Sequence, residues 1–229
     1  MLSLIESITI TIFNEAPHPN MPNSRKGGIK SYAVGHFAVG YLTAKLTAYF
    51  TKTKVNIPII LALSVAPDVD LLIPFIEHRG PFHSILMAII IFTPIIILSR
   101  KDAIPYFIAL IQHSLLGDFI TGKTQLFWPI TTQSFGTAVD IESLANITIE
   151  WLAFLIMLIE MLRNKDLQRL LKPNHTNIIL AVPTLTVLLP TFIAFPLKVP
   201  TSLIIPHLIM LIIFSASILA DVIKIILKP

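Results

Sequence analysis

Residues 202–223 read SLIIPHLIMLIIFSASILADVI, a continuous apolar run that carries a single ring nitrogen side chain, His207. A helix needs about 20 predominantly apolar residues to cross a hydrocarbon layer of about 30 Å, so this run has the length of a membrane span. Working outward from it, hydropathy predicts seven helices from Ser31 onward, at about 32–50, 55–76, 82–98, 103–120, 146–162, 177–197 and 202–223. The runs are continuously apolar rather than alternating, which disfavours a β-barrel. Pro58, Pro94, Pro183 and Pro190 fall inside them, as membrane helices tolerate. The fold class expected is all-α, a polytopic integral membrane helical bundle of about seven transmembrane helices.

Composition agrees. Charged residues make up 13% of the 229-residue chain and hydrophobic ones 54%, with mean hydropathy +0.79. A soluble domain carries about 25% charged residues because its surface must be wetted. The absence of cysteine excludes disulfide scaffolds, thiolate metal sites and thiol nucleophiles, leaving His, Asp, Glu and water as metal ligands. The formal charge of +4 is a mild excess placed in loops beside apolar runs, which fits membrane topogenesis and argues against direct nucleic-acid binding.

Residues 1–30 begin with a short apolar segment holding Glu6 and continue through a turn-rich stretch, so they read as an N-terminal arm, amphipathic or loose, and make a poor signal peptide. Residues 31–130 carry the motif-bearing membrane domain, and 131–229 the C-terminal membrane helices packing on it. On the side holding the arm lie Arg25, Lys26, Lys30, Arg79, Lys123 and Lys198. On the other lie Lys52, Lys54, Arg100, Lys101, Arg163, Lys165, Arg169, Lys172, Lys224 and Lys228, while Lys45 falls within the first span. The positive-inside rule places the more basic side in the cytoplasm of a multi-pass cell-membrane protein and the arm side on the extracytoplasmic face.

Ionisable residues inside membrane spans cost about 2.5–3.5 kcal/mol each on insertion scales, so each one needs a reason. His36 lies one turn into the first predicted span, Asp68 and Asp70 near the end of the second, His78 and His83 in the loop EHRGPFHS, and His113 and Asp118 near the end of the fourth. Threading the seven helices brings all of them to the arm side. Four imidazoles and three carboxylates form a nitrogen and oxygen ligand set suited to a divalent metal, Zn²⁺ foremost, as one or two ions. Pro67 interrupts regular hydrogen bonding beside Asp68 and Asp70, so the pair either shares one centre or serves two. Arg79, in the same loop, offers a planar donor fork for a phosphate or a transition-state anion.

Taken singly, each feature has a plainer structural reading. His36 suits a helix end near water, the two aspartates suit a cap or a pair with Arg79, and His113 with Asp118 suits an inter-helix hydrogen bond. Their joint placement on one face favours a site. Ser84 reads as an N-cap rather than a nucleophile. His207 reads as a helix contact, Glu160 as a partner of Arg163 three residues on, and RNKDLQRLLK as a cytoplasmic loop meeting anionic headgroups. Glu150, one turn into the fifth span on the arm side, is open between a structural role and a place in the site.

In order along the chain, Gly35-His36, Pro67-Asp68-Val69-Asp70, His78-Arg79-Gly80-Pro81-Phe82-His83-Ser84, His113 to Asp118 with Thr121, and Leu126-Phe127-Trp128-Pro129 resemble the membrane-bound metal-dependent hydrolases, also described as LexA-binding, inner-membrane-associated hydrolases. The resemblance covers about residues 31–130, and more distantly the His/Asp pattern looks similar to zinc-dependent phospholipase C and P1 nuclease. Two positions depart from the family pattern. Leu71 stands where members often carry a His, and Ser114 stands four residues before Asp118 where members usually place one, with His113 a residue earlier. On a regular helix that offset is a rotation of about 100°, so either the turn near Gly117 compensates or His113 lies outside the ligand set.

The activity expected is hydrolysis of a phosphoester or other ester bond in a lipid or lipid-linked substrate at the membrane interface. Metal ligands are expected among His36, Asp68, Asp70, His78, His83, His113 and Asp118, and catalytic roles for Arg79 and Asp70. Membrane lipid is then both environment and possible substrate. A non-catalytic adaptor with a regulatory protein partner is the alternative; a transporter fits less well, because no repeat is visible and the ionisable residues cluster toward one face. The sequence does not define an oligomeric state.

Overall fold

The computed structural model describes residues 32–73, 75–137, 139–193 and 199–227, and the expected N-terminal arm at 1–30 lies outside them. The described residues are helical apart from connecting loops and one isolated antiparallel bridge between Thr124 and Phe135. The principal helices are α1 (Ala33–Thr51), α2 (Ile57–Leu63), α3 (Ile85–Ser99), α4 (Ile104–Gln112), α5 (Leu144–Arg163), the short α6 (Asp166–Leu170), an irregular α7 (177–193) and α8 (Ile204–Ile226).

Helix α1 is the central post. Its buried side includes Gly40, Ala44 and Ala48 at four-residue spacing, a small-residue stripe that lets neighbouring backbones approach. A β-carbon on Gly40 would overlap Ser64, which shows how closely the end of α2 is pressed against it. Helices α4 and α5 pack along its length. Phe37, Tyr41, Leu61, Phe154, Met157, Leu188 and Phe214 fill one shared core. That core joins residues from both sides of position 130, so the expected boundary there ends the motif-bearing part without dividing the packing.

The surface is apolar where a soluble protein would be polar. Ile90, Ile91, Ile97 and Leu98 on α3, Leu152, Ile156 and Ile159 on α5, and Ile205, Ile212 and Leu219 on α8 are exposed, while His83, His113, Asp118 and Asp166 are buried. This inversion suits a lipid solvent.

Two stretches among the described residues, Leu144–Arg163 and Thr201–Ile226, are long and apolar enough to cross a membrane. The other expected spans are less regular. Residues 55–76 hold only the seven-residue α2 before the chain tightens into a 3₁₀ helix over Ala66–Leu72, as Pro67 at its start dictates. Residues 103–120 follow α4 into a π-helical turn, His113–Asp118, and 177–193 hold another over Thr184–Leu188. Helix α3 has 15 residues, about 22 Å of rise. Helix α1 has the length, but His36, Lys45 and its tyrosines and threonines dilute its apolarity.

Candidate metal centre

Four segments meet at one end of the bundle: the first turn of α1, the 3₁₀ helix after α2, the loop before α3 and the π turn after α4. At their junction His83 Nε2 lies 3.2 Å from His113 Nε2, 3.5 Å from Asp68 Oδ1 and 3.1 Å from Asp118 Oδ2. His113 Nε2 lies 3.3 Å from Asp68 Oδ1 and 3.4 Å from Asp118 Oδ2. Five of the six edges of this four-atom figure thus fall between 3.1 and 3.5 Å. Ligand atoms bound tetrahedrally to zinc at about 2.0–2.2 Å stand about 3.3–3.6 Å apart, so the side chains are already spaced to surround one ion.

The outer contacts of the two rings say which nitrogens point inward. His113 Nδ1 is 2.9 Å from the Ser64 carbonyl oxygen, which can only accept, so Nδ1 carries a proton and Nε2 is the nitrogen turned to the centre, where the neutral ring offers a lone pair. His83 Nδ1 lies 3.2 Å from Asp70 Oδ2 on the outer side of the ring, which leaves Nε2 as the nitrogen turned to the centre. Two imidazole nitrogens and two carboxylate oxygens then converge in a buried space. Such a set requires positive charge. Protons on the two rings or a cation at the middle would supply it, and five near-equal separations are spaced as the ligands of an ion would be. Asp118 Oδ2, one corner, has no hydrogen-bond partner among the described residues.

Asp68 and Asp70 divide the work expected of Asp-x-Asp. They approach the His83 ring from its two nitrogens, Asp68 on the inner edge and Asp70 on the outer. Asp70 Oδ1 also lies 3.0 Å from His78 Nδ1, so Asp70 joins the two loop histidines and orients the inner one, as an outer carboxylate does for a metal-bound imidazole. His78 is partly exposed at the rim. A ligand atom of each of Asp68, Asp70, His78 and His83 falls within 4.8 Å of the others, which leaves room in this second group for another ion.

The offset between His113 and Asp118 is resolved by the backbone. Five residues along an α-helix turn about 500°, leaving the two side chains about 140° apart. The π turn over these six residues, with its wider i→i+5 ring, brings them together instead. Gly117 within that turn makes space: a β-carbon there would overlap the His36 ring. His36 stacks on His113 with ring centroids 3.8 Å apart, and a ligand atom of each of His36, His113 and Asp118 falls within 4.8 Å of the others.

Arg79 turns toward the centre's support. Its Nη2 donates to Asp118 Oδ1 at 2.6 Å, which leaves Oδ2 of that carboxylate to face inward. Its backbone has φ 66°, and its carbonyl accepts from Gln125 N at 2.9 Å, tying the loop to the segment after the bundle. A β-carbon on Gly122 would strike the guanidinium, so this glycine is the floor against which Arg79 lies. Ser84 is the N-cap of α3: its Oγ accepts from Met87 N at 3.3 Å, and it lies 2.7 Å from the Trp128 carbonyl, to which it donates. Leu126-Phe127-Trp128-Pro129 is therefore a strap that holds the histidine loop.

Glu150 lies away from these ligands. Its buried carboxyl group sits beside the first turn of α1, where a β-carbon on Gly35 would overlap it. His207 is buried in α8, with Nδ1 2.7 Å from the Leu203 carbonyl and its ring edge-on to Tyr32. It behaves as the expected helix contact.

Fold and site together define a helical membrane protein with a buried histidine–aspartate centre. Residues 32–199 match the model of the family described as YdjM inner membrane protein, and the chain belongs to that family. The protein is accordingly a membrane protein, and the matched stretch contains every histidine and aspartate of the centre. No curated protein and no solved structure matches the chain. The family description names a location and no reaction, so the likeness to hydrolases and to the P1 nuclease group rests on the site residues alone.

Proposed function

We propose that this protein is a multi-pass, membrane-embedded metal-dependent hydrolase whose centre, on the extracytoplasmic face, acts on a lipid or lipid-linked phosphoester. The observation that carries the reading is the convergence of His83, His113, Asp68 and Asp118, whose inner nitrogen and oxygen atoms stand 3.1–3.5 Å apart along five contacts. These residues would hold a divalent ion, with zinc favoured by the imidazole share, and His36, Asp70 and His78 stand ready to support it or a second ion. When bound, such an ion supplies a water of lowered pKa and charge stabilisation for an oxyanion.

The chain's own residues do the rest. The Ser64 carbonyl anchors the outer nitrogen of His113 and the Asp70 carboxylate lies against that of His83, so both rings turn Nε2 inward. Arg79 holds Oδ1 of Asp118 and leaves Oδ2 facing the centre as a single donor, so water or substrate would join the four residues as a fifth ligand. Asp68 is the only one of the four ligand side chains with appreciable exposure, 9%, so solvent and substrate reach the centre past it. Leu72, Phe75 and Phe82, neighbours of Asp70 and of the histidine loop, are exposed at this end. An apolar rim beside a polar centre suits a substrate that stays anchored in lipid.

The test is metal content of the purified protein beside the Asp68→Ala/His83→Ala variant, followed by hydrolysis of lipid phosphoesters with and without chelator. Stoichiometric metal in the wild type and background in the variant is expected, with chelator abolishing turnover. Equal metal in both proteins refutes the centre. Bound metal without any chelator-sensitive hydrolysis refutes the enzyme and leaves a structural ion.

A further inference from the structure

The end of the bundle opposite the metal centre holds a second polar site of different chemistry. Helix α1 runs from His36 at one end to Lys45 beyond its middle, α2 begins at Asn56 and leads away toward Asp68, and α4 begins near Tyr106 and ends at His113. Between the starts of α2 and α4 and the segment around α6 lies a cavity of about 350 Å³ whose polar lining is Lys54, Asn56, Tyr106, Arg169, Asn174 and Asn177, with Asp166 at its base.

Three cations, Lys45, Lys54 and Arg169, stand against two buried carboxylates, Asp166 and Asp221, the second accepting from the Asn174 amide. The Asp166 carboxylate, 1% exposed, is already met by Lys45 Nζ at 2.8 Å and the Tyr41 hydroxyl at 2.8 Å. Arg169 gives it only Nη1, at 3.1 Å, from a side chain that is otherwise 71% exposed. Lys54 is exposed at the mouth, and no salt bridge involves it among the described residues. The fully buried Asn177 adds an acceptor: its Nδ2 is committed to the carbonyls of Leu170, Lys172 and Ser217, while its Oδ1 has no partner among the described residues.

We propose that this cavity binds a glycerophosphate group, the phosphate between Lys54 and Arg169 and a glycerol hydroxyl on Asn177 Oδ1. Arg and Lys together suit a phosphate oxygen set, and an orphaned buried acceptor suits a hydroxyl donor. The surrounding end carries Lys52, Arg100, Lys101, Lys165, Lys172 and Lys224, the basic surplus that faces anionic headgroups in a membrane. The cavity makes one location of that surface specific. The inference is independent of any chemistry at the metal centre.

The experiment is a lipid titration of the detergent-purified full chain, read by thermal melting and by native mass spectrometry of retained lipid. The probes are phosphatidylglycerol, phosphatidylcholine and soluble glycerol 3-phosphate. Phosphatidylglycerol should raise the melting temperature of the wild type, and phosphatidylcholine should not. Lys54→Ala and Lys54→Ala/Arg169→Ala should raise the half-saturating concentration at least about tenfold, while Lys101→Ala/Lys224→Ala at the same end should leave it unchanged. If the control variant loses as much as the cavity variants, or if phosphatidylcholine matches phosphatidylglycerol, the pocket is refuted in favour of general surface charge. A shift with glycerol 3-phosphate equal to that with the lipid supports the pocket and identifies a free phosphate ester as its occupant; a shift with the lipid alone supports it and identifies the membrane as the source.

Discussion

The two ends of α1 each bury carboxylates, and they treat them in opposite ways. Near its C-terminal half Asp166 meets an ammonium, a phenol hydroxyl and a guanidinium, all donors. Near its N-terminus Asp68 and Asp118 meet the inner nitrogens of His83 and His113, with Arg79 donating only to the outer oxygen of Asp118. At the first end the chain itself supplies the donors that Asp166 needs, and the carboxylate serves as a brace between α1 and α6. At the second, two carboxylates face two imidazoles, the arrangement on which the proposed metal site rests. Burial of charge is common to both, so burial does not mark the site; the balance of donors and acceptors does.

The sharpest way to break this comparison is to exchange the fates of the two ends. Asp118→Ala or His113→Ala should drop bound metal to background, whereas Asp166→Asn should leave metal stoichiometry intact. Elemental analysis of the purified variants decides it, and metal loss in Asp166→Asn would erase the distinction. Gly117→Ala comes next. Its new methyl collides with the His36 ring inside the π turn, and neither can yield without moving His113 or Asp118. Metal affinity should fall at least as far as for an outer-shell change, while the helical circular dichroism signal persists.

Asp70→Asn probes the support of His83 rather than a corner of the tetrahedron. Outer-shell partners of metal-bound histidines are worth about 10–100-fold in affinity, and competition with a chelator should show a loss of that size. A loss as complete as that of His83→Ala would place Asp70 among the direct ligands and argue for the second ion. Asp166→Asn itself should lower stability by about 1–3 kcal/mol, the penalty for buried donors left unpaired, because Lys45 and the Tyr41 hydroxyl lose an anion that faces them. The melting temperature should fall with the metal retained.

Much of this contrast was readable before the structure, and what was not has identifiable causes. The apolar runs locate α1, α3, α5 and α8 to within a few residues, because long periodic segments leave little choice of secondary structure. That seven ionisable side chains meet at one end of the bundle was legible because they fall at the ends of predicted spans or in the loop between two of them. The 3₁₀ and π segments were harder: the positions of Pro67 and Gly117 warn of irregularity, but only side-chain packing selects its form. Arg79 read as an anion clamp, and the structure instead shows it holding Asp118, a partner 39 residues away. The brace was missed. RNKDLQRLLK read as a solvated loop, yet Asp166 in it is buried. The available signal was Lys45, a cation inside an apolar run that required an anion from somewhere in the chain.

Ser84 supplies the smallest and most discriminating test, because it adjoins His83 and a hydroxyl next to a metal centre invites a nucleophilic role. Its geometry assigns it elsewhere. The oxygen accepts from the Met87 amide as the cap of α3, and its proton is directed to the carbonyls of the strap at Leu126 and Trp128. A nucleophile needs a base to receive that proton, and here two carbonyls that only accept hydrogen bonds surround it. Ser84→Ala should therefore cost about 1 kcal/mol, the worth of an N-cap, with metal content unchanged and any chelator-sensitive hydrolysis preserved. Loss of hydrolysis with metal and folding intact would transfer the chemistry from the ion's water to the serine. The capped hydroxyl at one end of the histidine loop and the histidine–aspartate centre at the other would then have exchanged roles.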